Sequence, residues 1–314
     1  MGSSLTPPHS SVAATAAPLH RLWLVLSLVR YRFFLYAGLL PYALGAAWAF
    51  RRTGQIDPLL FISGLAGVAL AVVGVEAFNE YFDARMGTDR IFNPDDLPPM
   101  SDWVLWLGVA SFAGALAIGV LLSLRAGWPI LAFAAIGGLA AVFYVAPPIR
   151  WAYRGLGEAV IALSYGPCMV LGSLVLLAGR ADWGGALASL VPGLLIMALA
   201  VVNAVPDFHQ DRLVGKRNLC VRLGRKRAVA LYLGLAALAL ALVPVGVATG
   251  LFPPLTLFSL IGMPLLWDSG RRAIATFTTP RLFVPSIRRI VACYGVTTVV
   301  FTLAVGVQSW WERW

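Results

Sequence analysis

Nine stretches of roughly 17 to 23 predominantly apolar residues fill most of this chain, each near the length of about 20 that a helix needs to cross the hydrocarbon core of a bilayer. They lie near Phe33 to Phe50, Pro58 to Phe78, Trp103 to Leu124, Gly127 to Ile149, Ala159 to Ala178, Gly184 to Val205, Ala228 to Gly250, Leu251 to Trp267 and Ile290 to Val307. With 60% hydrophobic and only 12% charged residues, the chain has too little polar surface to cover such segments in water. The pattern predicts an all-α polytopic membrane protein, a bundle of nine transmembrane helices in a lipid bilayer. Small residues such as Gly64, Gly67 and Gly74 suit close helix packing there.

The net charge of +10 sits in short loops between apolar segments and not in a separate basic domain, which argues against nucleic acid as a partner. With the amino terminus inside, 19 of the 24 basic residues fall on the cytoplasmic side, 12 of them between Arg212 and Arg289. That asymmetry predicts an N-in, C-out topology. Residues 1–20, rich in Ser, Pro, Thr and Ala, lack the basic start and apolar core of a signal peptide and read as a disordered cytoplasmic tail. Residues 21–314 read as one transmembrane domain. Cys168, Cys220 and Cys293 form no metal spacing and no disulfide framework.

Carboxylates are costly near a bilayer, so their placement points to function. One group, Glu80, Asp83, Asp89, Asp95 and Asp96, follows the second stretch; another, Asp207 and Asp211, ends the sixth. Asn79 and Asp83 are four apart and share a helix face. Asp89, about 280° further round an ideal helix, joins them only if the helix ends first, for which Gly87 is suited. Asn203, Asp207 and Asp211 recur at four-residue steps, with Pro206 expected to kink the helix between them. Lys216, Arg217 and Arg222 follow closely. Two carboxylate-bearing helix ends at one membrane surface, with basic residues beside them, suit a polyanion bridged by metal, because Mg²⁺ takes oxygen ligands from one or two carboxylates and from phosphate.

Three stretches resemble the UbiA superfamily of intramembrane prenyltransferases. They are Asn79-Glu80-Tyr81-Phe82-Asp83 running to Gly87-Thr88-Asp89; Tyr144 to Arg150 with Tyr153-Arg154-Gly155-Leu156-Gly157-Glu158; and Asn203 to Asp211 running into Gly215-Lys216-Arg217-Asn218-Leu219 and Val221-Arg222-Leu223-Gly224. The last two look most like the branch acting on 1,4-dihydroxy-2-naphthoate in menaquinone synthesis. Glu80, Pro206 and Asn218 depart from the residues many members carry, which are Asp, Arg and Thr.

The resemblance implies Mg²⁺-dependent transfer from a polyprenyl diphosphate to a small aromatic acceptor at the cytoplasmic face of a bacterial or archaeal cell membrane. It gives Asn79, Asp83, Asp89, Asn203, Asp207 and Asp211 as metal ligands, and Asn79, Asn203, Arg85, Arg154, Lys216 and Arg217 as diphosphate contacts. Asp83, Asp207, Arg150 and Tyr153 are the catalytic set. Arg150, Tyr153 and Arg154 equally suit anchoring at the interface, and Glu158 is expected only to complement a helix dipole. Departure of diphosphate would leave an allylic cation for an electron-rich ring to attack, in a bundle dry enough to protect it. Other acceptors, such as 4-hydroxybenzoate, another quinone precursor or a lipid, would use the same reaction. A transporter is the competing class, disfavoured because the acidic groups lie at one surface and not at the midplane.

Overall fold

The computed structural model describes residues 33–86 and 101–312, with side chains from 38 to 85 and from 101 to 312. The proposed tail 1–20 and Asp89 lie outside these residues. All regular structure among the described residues is helical.

Helix α1, Phe33–Thr53, is followed by α2, Pro58–Met86, which is 29 residues long and carries Asn79 and Asp83 on its last turns. Asp57 starts α2, its Oδ1 accepting the N–H groups of Leu59 and Leu60 at 2.8 and 3.1 Å, with Pro58 in the first helical position where no N–H is needed. Helices α3, Asp102–Ala126, and α4, Trp128–Val145, meet through Gly127 alone, whose φ of 94° a side chain would strain. A 3₁₀ turn, Trp151–Tyr153, leads to α5, Gly157–Ala178. Within α5 lies a π-helical turn, Ser164–Cys168, containing Pro167; the missing N–H of the proline breaks the i−4 ladder and the turn widens around it.

Helix α6, Trp183–Asn203, begins at Asp182, whose side chain caps Gly185 N–H at 2.6 Å. Two short helices follow, α7 (Phe208–Leu213) and α8 (Leu219–Leu223), then α9 (Arg225–Ala248). A 3₁₀ segment, Pro254–Gly262, runs into α10, Met263–Thr276, and α11, Pro280–Trp311, completes the chain.

Helix α6 packs on α5, α9 and α11, while α11 also contacts α10 and α1. Helix α1 in turn lies along α5, where Ser173 Oγ donates to the Tyr42 carbonyl at 2.9 Å. Leu195, Leu199, Tyr232 and Phe301 are fully buried in this core. On the other side, α2, α3 and α4 pack on one another and turn Trp106, Leu121 and Leu124 outward, as a lipid-facing wall does.

Seven helices among the described residues are long and apolar enough to cross a membrane: α2 to α6, α9 and α11. They match seven of the nine expected stretches. The first falls in α1, whose first five side chains are not described. The eighth, Leu251 to Trp267, is not one straight helix, because Pro253, Pro254 and Pro264 supply no N–H to the ladder and the segment passes from 3₁₀ to α. The expected kinked helix through Asp211 is also interrupted: α6 stops at Asn203 and 204–207 is a turn. Pro206 disfavours helical backbone at Val205 as well as lacking its own N–H.

Candidate active site

A cavity of about 900 Å³ opens among α2, α3, α4 and α5, with the end of α6 closing it at one pole. Its wall is almost wholly apolar except at that pole. There it is lined by Asn79 and Asp83 from α2, by Asn203, Asp207 and Asp211 from the end of α6 and α7, and by Glu158, Lys216 and Asn218. The two acidic clusters therefore share one cavity, although 119 residues of chain lie between Asp83 and Asn203.

Helical period explains the first cluster, since Asn79 and Asp83 stand one turn apart on α2. The second keeps its common orientation through a different device. Asp211 N–H donates to the Asp207 carbonyl at 2.8 Å as the chain re-enters helix after Pro206. The Asp211 carboxylate is nearly buried, accepts from Asn218 Nδ2 at 2.5 Å and lies 3.8 Å from Lys216 Nζ. Burial pushes its carboxyl above the ordinary range, opposed by the Lys216 ammonium and the Asn218 amide.

Tyr153 lies within electrostatic reach of both clusters. Burial first, and then the Asp83 and Asp211 carboxylates, push its phenol above the usual range, with Arg150 opposing them. The Arg150 guanidinium and the Lys216 ammonium each lie 5.8 Å from the Tyr153 ring. Arg150 adopts a left-handed backbone, φ 55°, uncommon for a side chain of its size. Its Nε is buried without a hydrogen-bond partner. These contacts set Arg150 and Lys216 beside Tyr153, and neither Arg150 nor Tyr153 lines the cavity.

The other expected contacts divide. Lys216 lines the cavity, whereas Arg85, Arg154 and Arg217 do not. Arg85 pairs with Asp102 at 2.5 Å and stacks on Tyr81 at 4.3 Å. Arg154 donates to the Pro148 carbonyl at 3.1 Å. His209 is exposed and packs edge-on against Phe208. Among the lining residues that escaped the sequence reading as site residues are Glu158, Tyr144 and Asn218. Glu158 is 4% exposed and accepts the Leu219 N–H at 2.8 Å, which a role confined to the helix dipole does not require.

The lining carries four carboxylates against one ammonium, and with Glu158 engaged by the Leu219 amide the cation donors are Asp83, Asp207 and Asp211. Such a set repels a bare polyanion and attracts small divalent cations, which take hard oxygen donors. Among the described residues no three His, Cys, Asp or Glu side chains are gathered closely enough to hold a metal by themselves. Asn79 nevertheless offers a buried Oδ1 without a hydrogen-bond partner. The donors thus suit metal ions completed by a ligand's own oxygens.

Residues 38–284 match the UbiA prenyltransferase family. The chain belongs to that family. Membership makes it a prenyltransferase, and its apolar helices make it an integral membrane protein. It is 36% identical over 183 residues to a 1,4-dihydroxy-2-naphthoate octaprenyltransferase of Mycobacterium tuberculosis, spanning 56% of this chain and 62% of that protein. To the Escherichia coli K12 protein of the same name it is 28% identical over 280 residues, 82% of this chain and 87% of that one. The fold is shared with a UbiA homolog from Archaeoglobus fulgidus solved with GPP and Mg²⁺, at TM-score 0.61 and 18% identity over 91% of this chain and 98% of that one. UbiA membership thus accords with the resemblance carried by the three stretches.

Proposed function

We propose that this protein transfers a long polyprenyl chain from its diphosphate to 1,4-dihydroxy-2-naphthoate, with Mg²⁺, within the membrane. The observation that carries the reading is the single cavity, polar at one pole and apolar along the rest, whose pole is built from both acidic clusters. An amphiphile with a charged head and a hydrocarbon tail matches that division. Asp83 and Gly64 both line the cavity and stand 19 residues apart on α2, about 28 Å at 1.5 Å per residue, close to the thickness of a hydrocarbon core. This length suits a long donor. The names of the M. tuberculosis and E. coli relatives support the naphthoate acceptor.

In this reading Asn79, Asp83, Asn203, Asp207 and Asp211, with Asp89 beyond the described residues, hold Mg²⁺ through their oxygens. When bound, Mg²⁺ supplies the positive charge that lets diphosphate depart. Lys216 faces the departing group, with Arg217 at the rim. Arg150 and Tyr153 orient diphosphate or acceptor at the pole, and the apolar wall keeps water from the allylic cation. The aromatic ring of the acceptor supplies the electron pair for the new carbon–carbon bond as the carbon–oxygen bond to diphosphate breaks, and the ring recovers its aromaticity by losing the proton or, as carbon dioxide, the carboxyl group of the attacked carbon. In this reading the chain from residue 21 onward is a single transmembrane unit whose charged pole faces the cytoplasm, a proposal supported by the 19 to 5 division of basic residues.

The test is turnover by purified protein in detergent, with labelled prenyl diphosphate offered separately with 1,4-dihydroxy-2-naphthoate, 4-hydroxybenzoate and a glycerol phosphate lipid. Mg²⁺-dependent product with the naphthoate is expected. Product with either of the others, and none with the naphthoate, would refute the acceptor. No product with any acceptor would refute the reading as a whole.

A further inference from the structure

Lys216 is the one basic side chain lining the cavity among the described residues, and it sits on a loop between two short helices. That loop is tied to the turn before α5 from several points. Arg217 N–H donates to the Tyr153 carbonyl at 3.3 Å. Arg222 donates from Nη2 to the Arg154 carbonyl at 2.6 Å and from Nε to the Arg217 carbonyl at 2.9 Å. Gly155 admits this contact: its φ is +72°, and a Cβ there would lie 2.3 Å from Arg222 Nε.

The remaining tie comes from a side chain. Leu219 is the first residue of α8, and its N–H, which has no partner inside the helix, donates to Glu158 Oε1 at 2.8 Å. Asn218 is the N-cap, its Oδ1 accepting Val221 N–H at 2.9 Å while its Nδ2 donates to Asp211. Glu158 thus caps α8 beside Asn218, from a helix 61 residues earlier. A carboxylate taken out of water at such a place carries a desolvation cost, and the hydrogen bond to Leu219 offsets part of it.

We propose that Glu158 is a positioning residue: by clamping the Leu219 amide it fixes the 215–219 loop, and so holds Lys216 over the diphosphate end of the cavity between Asp211 and Tyr153. The proposal rests on reading that pole as the diphosphate site. What the clamp needs from residue 158 is an oxygen acceptor, which glutamine supplies and alanine does not. What it needs from residue 219 is an N–H, which proline lacks. Proline is well tolerated at the first position of a helix, and Asn218 before it already has the extended backbone, φ −63° and ψ 174°, that a following proline requires.

The full-length protein in detergent carries the test, with two readouts. In steady-state kinetics with farnesyl diphosphate as donor, Glu158→Ala and Leu219→Pro should each raise the donor KM roughly tenfold or more while kcat changes less, since loss of positioning alone commonly costs that much. Glu158→Gln should stay within about threefold of the parent, and the double change should be no worse than either single one, as expected of one shared interaction. In limited trypsin digestion without substrate, cleavage after Arg217 should quicken in the alanine and proline variants and not in the glutamine variant. If Glu158→Gln fails in turnover as badly as Glu158→Ala while its loop stays protected, the charge matters and not the clamp, and the proposal is overturned. Unchanged KM and unchanged cleavage in Leu219→Pro would overturn it as well. Should the parent protein transfer no prenyl group, the digestion still reads the clamp, so failure of the functional reading is told apart from failure of this one.

Discussion

The two sides of this bundle solve opposite problems. In α6, 67% of the apolar span is buried, against 17% in α2, 22% in α3 and 11% in α4. The α6 side packs like a protein interior, with Leu195, Leu199, Tyr232 and Phe301 withdrawn from any surface. The α2 to α4 side encloses the cavity on one face and meets lipid on the other. The charged pole joins the two: Asn79 and Asp83 come from the hollow side, and Asn203, Asp207 and Asp211 from the packed one. Packing holds the site's geometry on one side, while the other side leaves room for a ligand.

The largest effect that would break this division concerns the pole. Asp83→Ala on the hollow side and Asp207→Ala on the packed side should each lower turnover by roughly 10²-fold or more, with the double change little worse, because groups acting as one unit are non-additive. Both variants should insert and purify normally. A chelator should abolish activity in the parent protein, with recovery on adding Mg²⁺. Strictly multiplicative losses would mean two separate sites. Next comes stability: Leu199→Ala, at a fully buried position, should cost about 2–5 kcal/mol in unfolding from detergent, and Leu139→Ala, 59% exposed in the cavity wall, far less. Equal costs would remove the contrast between the sides.

A smaller effect should appear in donor choice. A Cβ at Gly137 meets nothing within 4 Å, and Gly137 lines the cavity, so Gly137→Leu should fold yet fill space where the tail lies. Competition between octaprenyl and farnesyl diphosphate should then shift toward the shorter donor by about 10-fold or more, in line with the cost of added methylenes in an apolar pocket. An unchanged ratio would place the tail elsewhere.

The smallest effect lies on the packed side at Asp268, which pairs with Arg272 and Arg289 at 3.0 and 2.9 Å and with Arg271 at 3.7 Å. Hydrogen bonding to Arg272 leads the causes that hold its carboxyl below the ordinary 3.8. A depressed carboxyl adds stability above its unfolded pKa and loses it as pH falls through the folded value. Asp268→Asn should therefore lower the melting temperature slightly at neutral pH, less in high salt, and not at all below the folded pKa. A shift that persists in strong acid would mean that something other than charge is lost.

Much of the architecture could be read from residue pattern, because apolar length is a direct consequence of bilayer thickness and four-residue spacing a direct consequence of helical pitch. Seven helices of membrane-crossing length among the described residues, and the common cavity of Asn79, Asp83, Asn203, Asp207 and Asp211, follow from those two facts. The pattern misled where proline decides. Leu251 to Trp267 is apolar enough for a straight helix yet bends through 3₁₀ geometry, and the Asp207 stripe is a turn and a new helix. Glu158 was illegible for another reason. A glutamate at a helix start looks the same whether it faces solvent or reaches a backbone amide 61 residues away, and a backbone amide has no signature in sequence. Arg85 and Arg217 show the converse, since a basic residue beside a motif is not thereby in the cavity.

The one-residue joint at Gly127 bears on how this protein is assembled. With a single residue between Ala126 and Trp128, α3 and α4 have no slack to enter the bilayer one after the other as independent units. They must partition from the insertion machinery together, as a hairpin, with Arg125 drawn across at its tip. The α3–α4 part of the finished cavity wall is thus a prefabricated panel, set against α2 in one step.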